Sequence, residues 1–293
     1  MATPRGAKLI VGLDYGTTKT LILINGLLGI AYAYWDPSHP QASAIKCVPF
    51  GKKQFVPSHV GYGGNGEVLW GDAASGSAVP GYTWTKVLLN DDGPQEHSFG
   101  SGLLSRLVRN GFFYMSKDKP DTVVVDFLKQ VRKHVAAHLE LDYMEEVPPT
   151  EFWFTIPATW TEKARDRFLR AINLAGFGTR PQDHVLFLLE AEAAALATGK
   201  SRAIVVCDCG GATSDITAFR ISNNGSDQEF GLMSASTGVY CGGAEVDARL
   251  LKHLEVTDPV AVAAATEQQA DLVATVEMAV RLKIDFTGTS RAV

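Results

Sequence analysis

Two stretches of this chain share one pattern, in which an apolar run ends at an aspartate and is followed by glycine and threonine. Residues 9–24 read L-I-V-G-L-D-Y-G-T-T-K-T-L-I-L-I, and residues 203–219 read A-I-V-V-C-D-C-G-G-A-T-S-D-I-T-A-F. Apolar, β-branched runs on both sides of a glycine turn predict a strand, a turn and a return strand in each case. Aligning Asp14 with Asp208 also aligns Gly16 with Gly210 without a gap. The repeat indicates a duplicated unit with a ligand between its copies.

The residues at the two turns suit a phosphate group and a hard cation. Backbone N–H groups of a glycine turn converge on a concavity that binds an anion. Carboxylates such as Asp208 and Asp215 are unfavourable beside an anion unless a cation such as magnesium bridges carboxylate and phosphate. The pattern therefore predicts a site for magnesium and phosphate.

The composition is that of a globular protein and excludes several classes of partner. The 293 residues are 46% hydrophobic and 20% charged, with a net charge of −5 and no block of lysine and arginine. Nucleic acid is not expected as a partner, because its binding needs a basic surface. The longest apolar region, 21–34, is interrupted at Asn25 and Gly26 and is shorter than the roughly 20 residues of a membrane span. We expect a cytoplasmic or nuclear protein with no membrane contact.

Periodicity predicts an alternation of strands and helices along the chain. The Asn25-Gly26 turn predicts another strand at 27–34. Gly61, Gly63 and Gly66 spell G-x-G-x-x-G inside a predicted hairpin, and this position favours a plain loop over a dinucleotide-binding site. Thr159 and Glu162 form a possible capping box. Further strands are predicted at 151–156, 185–189 and 231–237, and helices at 122–141, 160–175, 190–197 and 242–254.

Two pairs of potential metal ligands are better explained without a metal. His134 and His138 lie four apart on the helix at 122–141, but Val135 replaces the glutamate of a zinc-protease motif. We expect a solvated or partly packed histidine pair. Cys207 and Cys209 lie two apart on a predicted strand and face the same side, and we expect a reduced, partly buried pair.

The order of the motifs resembles the ATPase domain of the seventy-kilodalton heat-shock chaperones, and most of all their divergent, chaperone-like relatives, within the actin and sugar-kinase superfamily. The two phosphate loops of that family resemble residues 12–18 and 208–215. Its early hairpin resembles residues 55–58 with 71–73. The stretch that links its two lobes resembles residues 155–158 with 190–199. The loop after its second phosphate motif resembles Gly242-Gly243 with Asp247.

The resemblance implies an α/β, actin-like (ribonuclease-H-like), duplicated two-lobed ATPase fold. Residues 1–199 correspond to the first lobe, with the first phosphate hairpin and the linking helix. Residues 200–293 correspond to a partial second lobe with the second phosphate hairpin. We expect that second lobe to be truncated, and the chain as given to bind ATP weakly and hydrolyse it slowly.

The resemblance also implies a role for each matching residue. Asp14 and Asp208 would hold magnesium, largely through its waters, and Lys86 would lie near the γ-phosphate. Glu190 and Asp215 would orient the attacking water or the metal's hydration shell. The catalytic set would thus be Lys86, Glu190, Asp208 and Asp215. The residues expected to contact the nucleotide are Gly16, Thr17, Thr18, Lys19, Gly210, Gly211, Ala212, Thr213, Gly242 and Gly243.

Simpler interpretations of single residues remain open, and the chain departs from the family at several positions. Lys86 could be an ordinary exposed lysine, and Glu190 an acid favoured at a helix start. Ala212 replaces a third glycine of the second phosphate loop, and Ala191 replaces a proline. The helix that contacts adenosine fits two registers, Glu277 with Arg281 or Lys283 with Phe286.

The function expected from these features is that of an ATP-binding, ATP-hydrolysing nucleotide switch in a chaperone-like protein. Its cofactors would be ATP or ADP and magnesium, and its partners the nucleotide with a co-chaperone or client protein. One alternative is a nucleotide-independent interaction module on the same fold. The other is a sugar-type kinase of the superfamily, for which the sequence shows neither a substrate-side aspartate motif nor a sugar-pocket motif.

Overall fold

The computed structural model describes residues 6–16, 27–39, 44–75, 81–82, 85–86, 89, 113–114, 120–143, 147–198, 203–211, 213–224 and 227–239, with isolated positions between 242 and 259. Within these residues the chain forms three sheets and four helices with defined ends. The strands are β1 Lys8–Tyr15, β2 Leu27–Trp35, β3 Lys46–Cys47, β4 Phe55–Pro57, β5 Val60–Tyr62, β6 Val68–Trp70, β7 Gly81–Tyr82, β8 Phe113–Tyr114, β9 Thr150–Ile156, β10 His184–Leu189, β11 Ala203–Cys209, β12 Ser214–Asn224, β13 Asp227–Leu232 and β14 Thr237–Val239. The helices are α1 Gly71–Ser75, α2 Pro120–Asp142, α3 Glu162–Leu174 and α4 Glu190–Thr198.

The largest sheet has the order β10-β9-β1-β2-β3, with β4 also paired to β2. β1, β9 and β10 run parallel, whereas β2 is antiparallel to β1, β3 and β4. Side chains alternate along β1, so that Leu9, Val11, Leu13 and Tyr15 are all buried. This alternation gives the sheet one face that packs into the main core.

Helices α2 and α3 contribute the helical side of that core. The apolar face of α2 is buried, because five side chains at helical spacing have no exposed surface: Val124, Phe127, Leu128, Val131 and Val135. α3 contributes Phe168 and Ile172, which are also fully buried. None of the helices in the described ranges is long and apolar enough to cross a membrane.

The antiparallel strand beside β1 is β2, whereas the sequence repeat predicts a return strand in the apolar run at 21–24, which lies outside the described residues. β2 runs beside β1 over its whole length, and β9 lies along the other edge of β1. The register places Asp14 opposite Gly29, fifteen positions later, whereas Asp208 is opposite Asp215, seven positions later. The first turn is therefore eight residues longer than the second. Residues 17–26 themselves lie outside the described residues.

The second sheet confirms the hairpin predicted at 203–219. β11 pairs antiparallel with β12, and β12 pairs with both β13 and β14. Ala191 and Ala195 of α4 pack against Phe219 and the partly buried Ile204 and Val206 on the inner face of this sheet. On its outer face, Val205 is 71% exposed.

The third sheet contains the G-x-G-x-x-G sequence in a plain hairpin loop, as predicted. β5 and β6 are antiparallel, and Gly66 lies between them with φ of +79°, a conformation that favours glycine. Gly63 N–H donates to the carbonyl of Glu67 across the turn, at 2.9 Å.

Helix α3 begins at a different threonine from the one predicted. Thr161 is the N-cap residue, and its side chain accepts a hydrogen bond from the Ala164 N–H at 3.2 Å. The capping box on Thr159 is therefore wrong, and the helix begins two residues later than predicted. Gly176, with φ of +92°, follows the end of α3 as predicted.

The histidine pair on α2 is packed against neighbouring residues, as predicted. His134 lies 2.8 Å from the Pro49 carbonyl and stacks on Phe50, and His138 lies 3.1 Å from the Tyr32 hydroxyl. Among the described residues there is no group of three or more His, Cys, Asp or Glu side chains placed to ligate a metal directly.

Candidate functional site

Asp208 and Asp215 lie opposite each other on the second sheet, at the closed end of the hairpin. The register pairs the two residues directly, and alternation along β11 and β12 places both side chains on the inner face. Asp208 is half-buried, and Asp215 is only 2% exposed. A buried carboxylate is unusual unless it serves a structural or functional role.

Asp14 lies near the end of β1 and is held by the neighbouring strand. Its Oδ1 accepts a hydrogen bond from the Thr155 hydroxyl of β9 at 2.8 Å. The carbonyl of the same Thr155 accepts from Lys86 Nζ at 3.3 Å. Thr155 thus joins the first aspartate to the lysine, a role that the sequence analysis missed because nothing in the local pattern identifies it.

Lys86 is buried, so the simpler interpretation of an exposed lysine is wrong. Its side chain is 1% exposed, and Nζ lies 2.5 Å from Glu190 Oε1 at the start of α4. Nζ also lies 5.6 Å from the centre of the Trp160 ring. An ion pair at this depth fixes both side chains in the cleft between the two sheets.

Tyr15 links the first phosphate strand to the segment that carries Lys86. It follows Asp14 directly, is fully buried and stacks on Phe127 and Phe168. Its hydroxyl is hydrogen-bonded to the hydroxyl of Thr85, the residue before the lysine. Burial raises the pKa of Tyr15, partly offset by this hydrogen bond, so the phenol stays neutral.

The carboxylates of the two hairpins interact electrostatically. Burial raises the pKa of Asp208, the negative charges of Glu190 and Asp14 raise it further, and Lys86 opposes the shift. Burial also raises the pKa of Asp215; Thr213 lowers it, Glu190 and Asp208 add to the rise, and Lys86 opposes it. Among the described residues, four carboxylates therefore face one lysine, and a bound cation would relieve this excess negative charge.

Two polar groups in this cleft are buried without a hydrogen-bond partner of standard geometry among the described residues. They are the carboxylate of Asp215, whose oxygens make no such bond although the Thr213 side chain lies near enough to lower its pKa, and the hydroxyl of Thr159. Gly238 makes room for them, because a Cβ there would lie 2.2 Å from Asp215 Oδ1 and 2.4 Å from the Thr159 methyl group. Unsatisfied buried oxygens are costly, and a ligand or its waters would satisfy them.

The donor set fits magnesium held mainly through its water molecules. Magnesium prefers oxygen ligands and retains much of its hydration shell, and the cleft offers carboxylate and hydroxyl oxygens. No three carboxylates in the described ranges are close enough together to form a direct ligand set.

Glycines of the second phosphate loop are in close contact with the loop that follows it in the chain. Gly243 N–H donates to the Gly210 carbonyl at 3.0 Å. A Cβ at Gly242 would lie 2.4 Å from the Gly211 carbonyl oxygen, so this approach requires glycine. Gly16 lies at the first turn, where its carbonyl accepts a hydrogen bond from the Ser58 hydroxyl at 3.3 Å.

The structure brings together Asp14, Lys86, Glu190, Asp208 and Asp215 in one cleft, with Gly210, Gly211, Thr213, Gly242 and Gly243 along the second loop. Thr17, Thr18, Lys19 and Ala212 lie outside the described residues, as do all four candidates for the adenosine contact: Glu277, Arg281, Lys283 and Phe286. Besides Thr155, the sequence analysis missed Thr159 as a cleft residue.

Comparison with known proteins identifies the family. A family described as Hsp70 protein matches residues 113–290, which is more than half of the chain. The chain belongs to the Hsp70 family. This confirms the predicted resemblance and the actin-like α/β fold, which the mixed sheets and helices described above fit.

Two Hsp70 relatives show how the chain compares with longer members. The chaperone protein DnaK of Thermoplasma volcanium is 26% identical in an alignment of 255 residues that covers 84% of this chain and 35% of the relative. The chaperone protein DnaK of Stenotrophomonas maltophilia is 28% identical in an alignment of 264 residues that covers 84% of this chain and 37% of the relative. The chain therefore spans about a third of the length of these Hsp70 proteins.

Proposed function

We propose that the cleft between the two phosphate hairpins binds a magnesium complex of ATP or ADP by its phosphate groups. The chain then acts as the nucleotide switch of a chaperone-like protein. Both relatives compared above are named as chaperones, which supports this family of functions.

One observation carries the proposal: the buried carboxylate of Asp215, which has no hydrogen bond of standard geometry within the described residues, lies in a cleft that also holds Asp14, Glu190, Asp208 and Lys86. A purely structural ion-pair cluster would compensate its carboxylates, because an uncompensated buried charge is costly. In the described part of the chain, one lysine faces four carboxylates. A binding site for a divalent cation has this kind of charge imbalance.

Each group in the cleft then has a definite task. Asp14 and Asp208 would hold the magnesium ion, and the ion would neutralise part of the phosphate charge. Lys86 would neutralise charge at the γ-phosphate, while Glu190 and Asp215 would orient the attacking water or the metal's hydration shell. Backbone amides and side chains of the two turns and the following loop hold the phosphates or ribose: Gly16, Thr17, Thr18, Lys19, Gly210, Gly211, Ala212, Thr213, Gly242 and Gly243.

Hydrolysis of ATP to ADP would change how tightly the two hairpins close on the ligand. We assign residues 1–199 to the first lobe and residues 200–293 to the second. The cleft then lies between the two lobes, and the bound nucleotide controls their closure. A co-chaperone or client protein would respond to that closure, and the cytoplasm is the proposed location.

Calorimetric titration tests the proposal directly. The 293-residue chain is titrated with ADP and ATP, with and without magnesium, and phosphate release from ATP is followed separately. We expect magnesium-dependent binding that Asp215→Asn weakens at least tenfold. The matched control is Asp72→Asn, because Asp72 is an exposed carboxylate paired with Lys53 outside the cleft.

The alternatives give different results in the same assays. A nucleotide-independent module shows no heat of binding with either nucleotide at millimolar concentration. A sugar-type kinase consumes ATP faster when candidate sugars are added. Either result would overturn the proposed switch.

A further inference from the structure

The outer face of strand β11 carries two free thiols side by side. Cys207 and Cys209 are both exposed and unbonded, and their sulfur atoms lie 3.5 Å apart. The prediction that the two side chains share one face is confirmed, but the predicted partial burial is wrong. Alternation along the strand explains both findings, because residues two apart share a face and this face of β11 is uncovered.

We propose that Cys207 and Cys209 form a bidentate site for a thiophilic trivalent centre, with trivalent organic arsenicals as the ligand class. Such a centre needs two sulfur atoms that can approach each other closely without rearrangement of the backbone. The sulfur atoms already lie 3.5 Å apart, and both side chains project from the same face of β11. The inference is independent of the proposed nucleotide function.

The same geometry favours an arsenical over a metal ion. Two thiolate sulfurs bound to one tetrahedral zinc ion, each at about 2.3 Å from the metal, lie roughly 3.8 Å apart. Cys207 and Cys209 could reach this sulfur–sulfur separation. A zinc or cadmium ion needs further ligands, however, and the described residues offer no third His, Cys, Asp or Glu at this position. A trivalent arsenic atom is satisfied by two protein sulfurs and its own organic group.

The surroundings of the thiols suit an apolar substituent on the arsenic. Ile216 lies directly opposite Cys207 in the register and is 46% exposed. Val205 precedes Cys207 on the same face of β11 and is 71% exposed. A phenyl group attached to the arsenic would cover part of this apolar surface, which favours an aryl over a small arsenical.

The reaction is a condensation and involves no change of oxidation state. An aryl arsenoxide reacts with the two thiols to form two arsenic–sulfur bonds. The arsenic–oxygen bond breaks, and the oxygen leaves as water with both thiol protons. No external oxidant or reductant is required.

Titration with phenylarsine oxide, followed by intact-protein mass spectrometry, tests the site in the phosphine-reduced 293-residue chain. We expect one adduct, heavier by the arsenoxide less one water, and the loss of two free thiols. Chelation should make binding at least about a hundredfold tighter than in Cys207→Ser or Cys209→Ser. Cys47→Ser is the matched control, because Cys47 is an exposed cysteine on β3. This variant should bind the arsenical as tightly as the unmodified chain does.

Two further measurements on the unmodified chain keep the test independent of how the variants fold. A small dithiol should remove the arsenical, whereas a monothiol at the same thiol concentration should not. Cadmium or zinc should bind more weakly than the arsenical. Adducts of equal affinity in both serine variants, release by the monothiol, or metal binding tighter than arsenical binding would overturn the proposal.

Discussion

Lys86 is the residue on which the charge balance of the cleft depends most. It is almost fully buried, and its ammonium group contacts both Glu190 and the Thr155 carbonyl. It also opposes the rise in the pKa of Asp208 and Asp215. The same side chain therefore holds two elements together and counteracts the rise in the pKa of both aspartates.

Replacing Lys86 by alanine should destabilise the ligand-free chain by about 3 kcal/mol, because it leaves the largely buried carboxylate of Glu190 without its partner. Chemical denaturation at neutral pH measures the loss. Lys53→Ala removes an exposed lysine from an ion pair with Asp72 and should barely change the free energy of unfolding. If the two variants lose equal stability, Lys86 does not compensate the cleft.

His59 gives the chain a specific sensitivity to acid. It is 8% exposed, and burial lowers its pKa to about 4, while a hydrogen bond with the backbone of Gly81 acts in the opposite direction. An unfolded histidine takes up its proton near pH 6.5. Between these two values the unfolded chain binds more protons, so the free energy of unfolding falls as the pH falls.

We expect His59 to account for a loss of about 2 to 3 kcal/mol between pH 7 and pH 4.5, and His59→Gln should remove that part of the loss. Denaturation of both proteins at the two pH values measures it. Their difference isolates His59, because Asp208 and Asp215 have raised pKa values, contribute with the opposite sign and are present in both proteins. His184→Gln, at an exposed position, is the control. An equal acid loss in His59→Gln and the unmodified chain would contradict this assignment.

At the scale of elements, period-two and helical patterns predicted most strands and helices but not which strands pair. The runs at 21–24 and 27–35 are both strand-like in sequence, so local pattern could not show that β2 lies beside β1. Thr159 and Thr161 precede the same helix, and only the fold shows that Thr161 is the cap and that Thr159 lies in the cleft. The local signal that favours a buried lysine is the apolar character of Trp84 and Val87, which flank Lys86 in the sequence.

The eight extra residues in the first turn lead to a prediction about nucleotide affinity. Deleting residues 20–27 gives both hairpins the same spacing and keeps Thr17, Thr18, Lys19 and the fully buried Leu28. A shorter loop changes the free energy of loop closure by less than about 1 kcal/mol, so the change in loop length should by itself alter the free energy of unfolding little. Affinity for magnesium ADP should rise several-fold, because the first turn would match the geometry of the second.

A variant in which glycine and serine replace residues 20–27 at constant length is the control for the deletion. It separates the effect of loop length from that of the apolar sequence. Calorimetry measures the affinity of all three proteins. An affinity in the deletion variant no higher than in the other two would mean that the extra length does not affect the site.

At the scale of the whole molecule, α4 joins the two sheets that carry the phosphate hairpins. It begins at Glu190, directly after β10 of the main sheet, and packs through Ala191 and Ala195 against the second sheet. Asp14 belongs to the first sheet, and Asp208 and Asp215 to the second. The proposed site exists because the fold places these sheets against each other, which no single motif could specify.

A double-mutant cycle on Asp14 and Asp208 tests most directly whether the two hairpins form one magnesium–phosphate site. Calorimetry gives the affinity for magnesium ADP of the unmodified chain, Asp14→Asn, Asp208→Asn and the double variant. If both carboxylates act on one ion, the second substitution should cost little after the first, with a coupling energy of about 1 kcal/mol or more. Fully additive losses, or binding that neither substitution affects, would contradict a shared site.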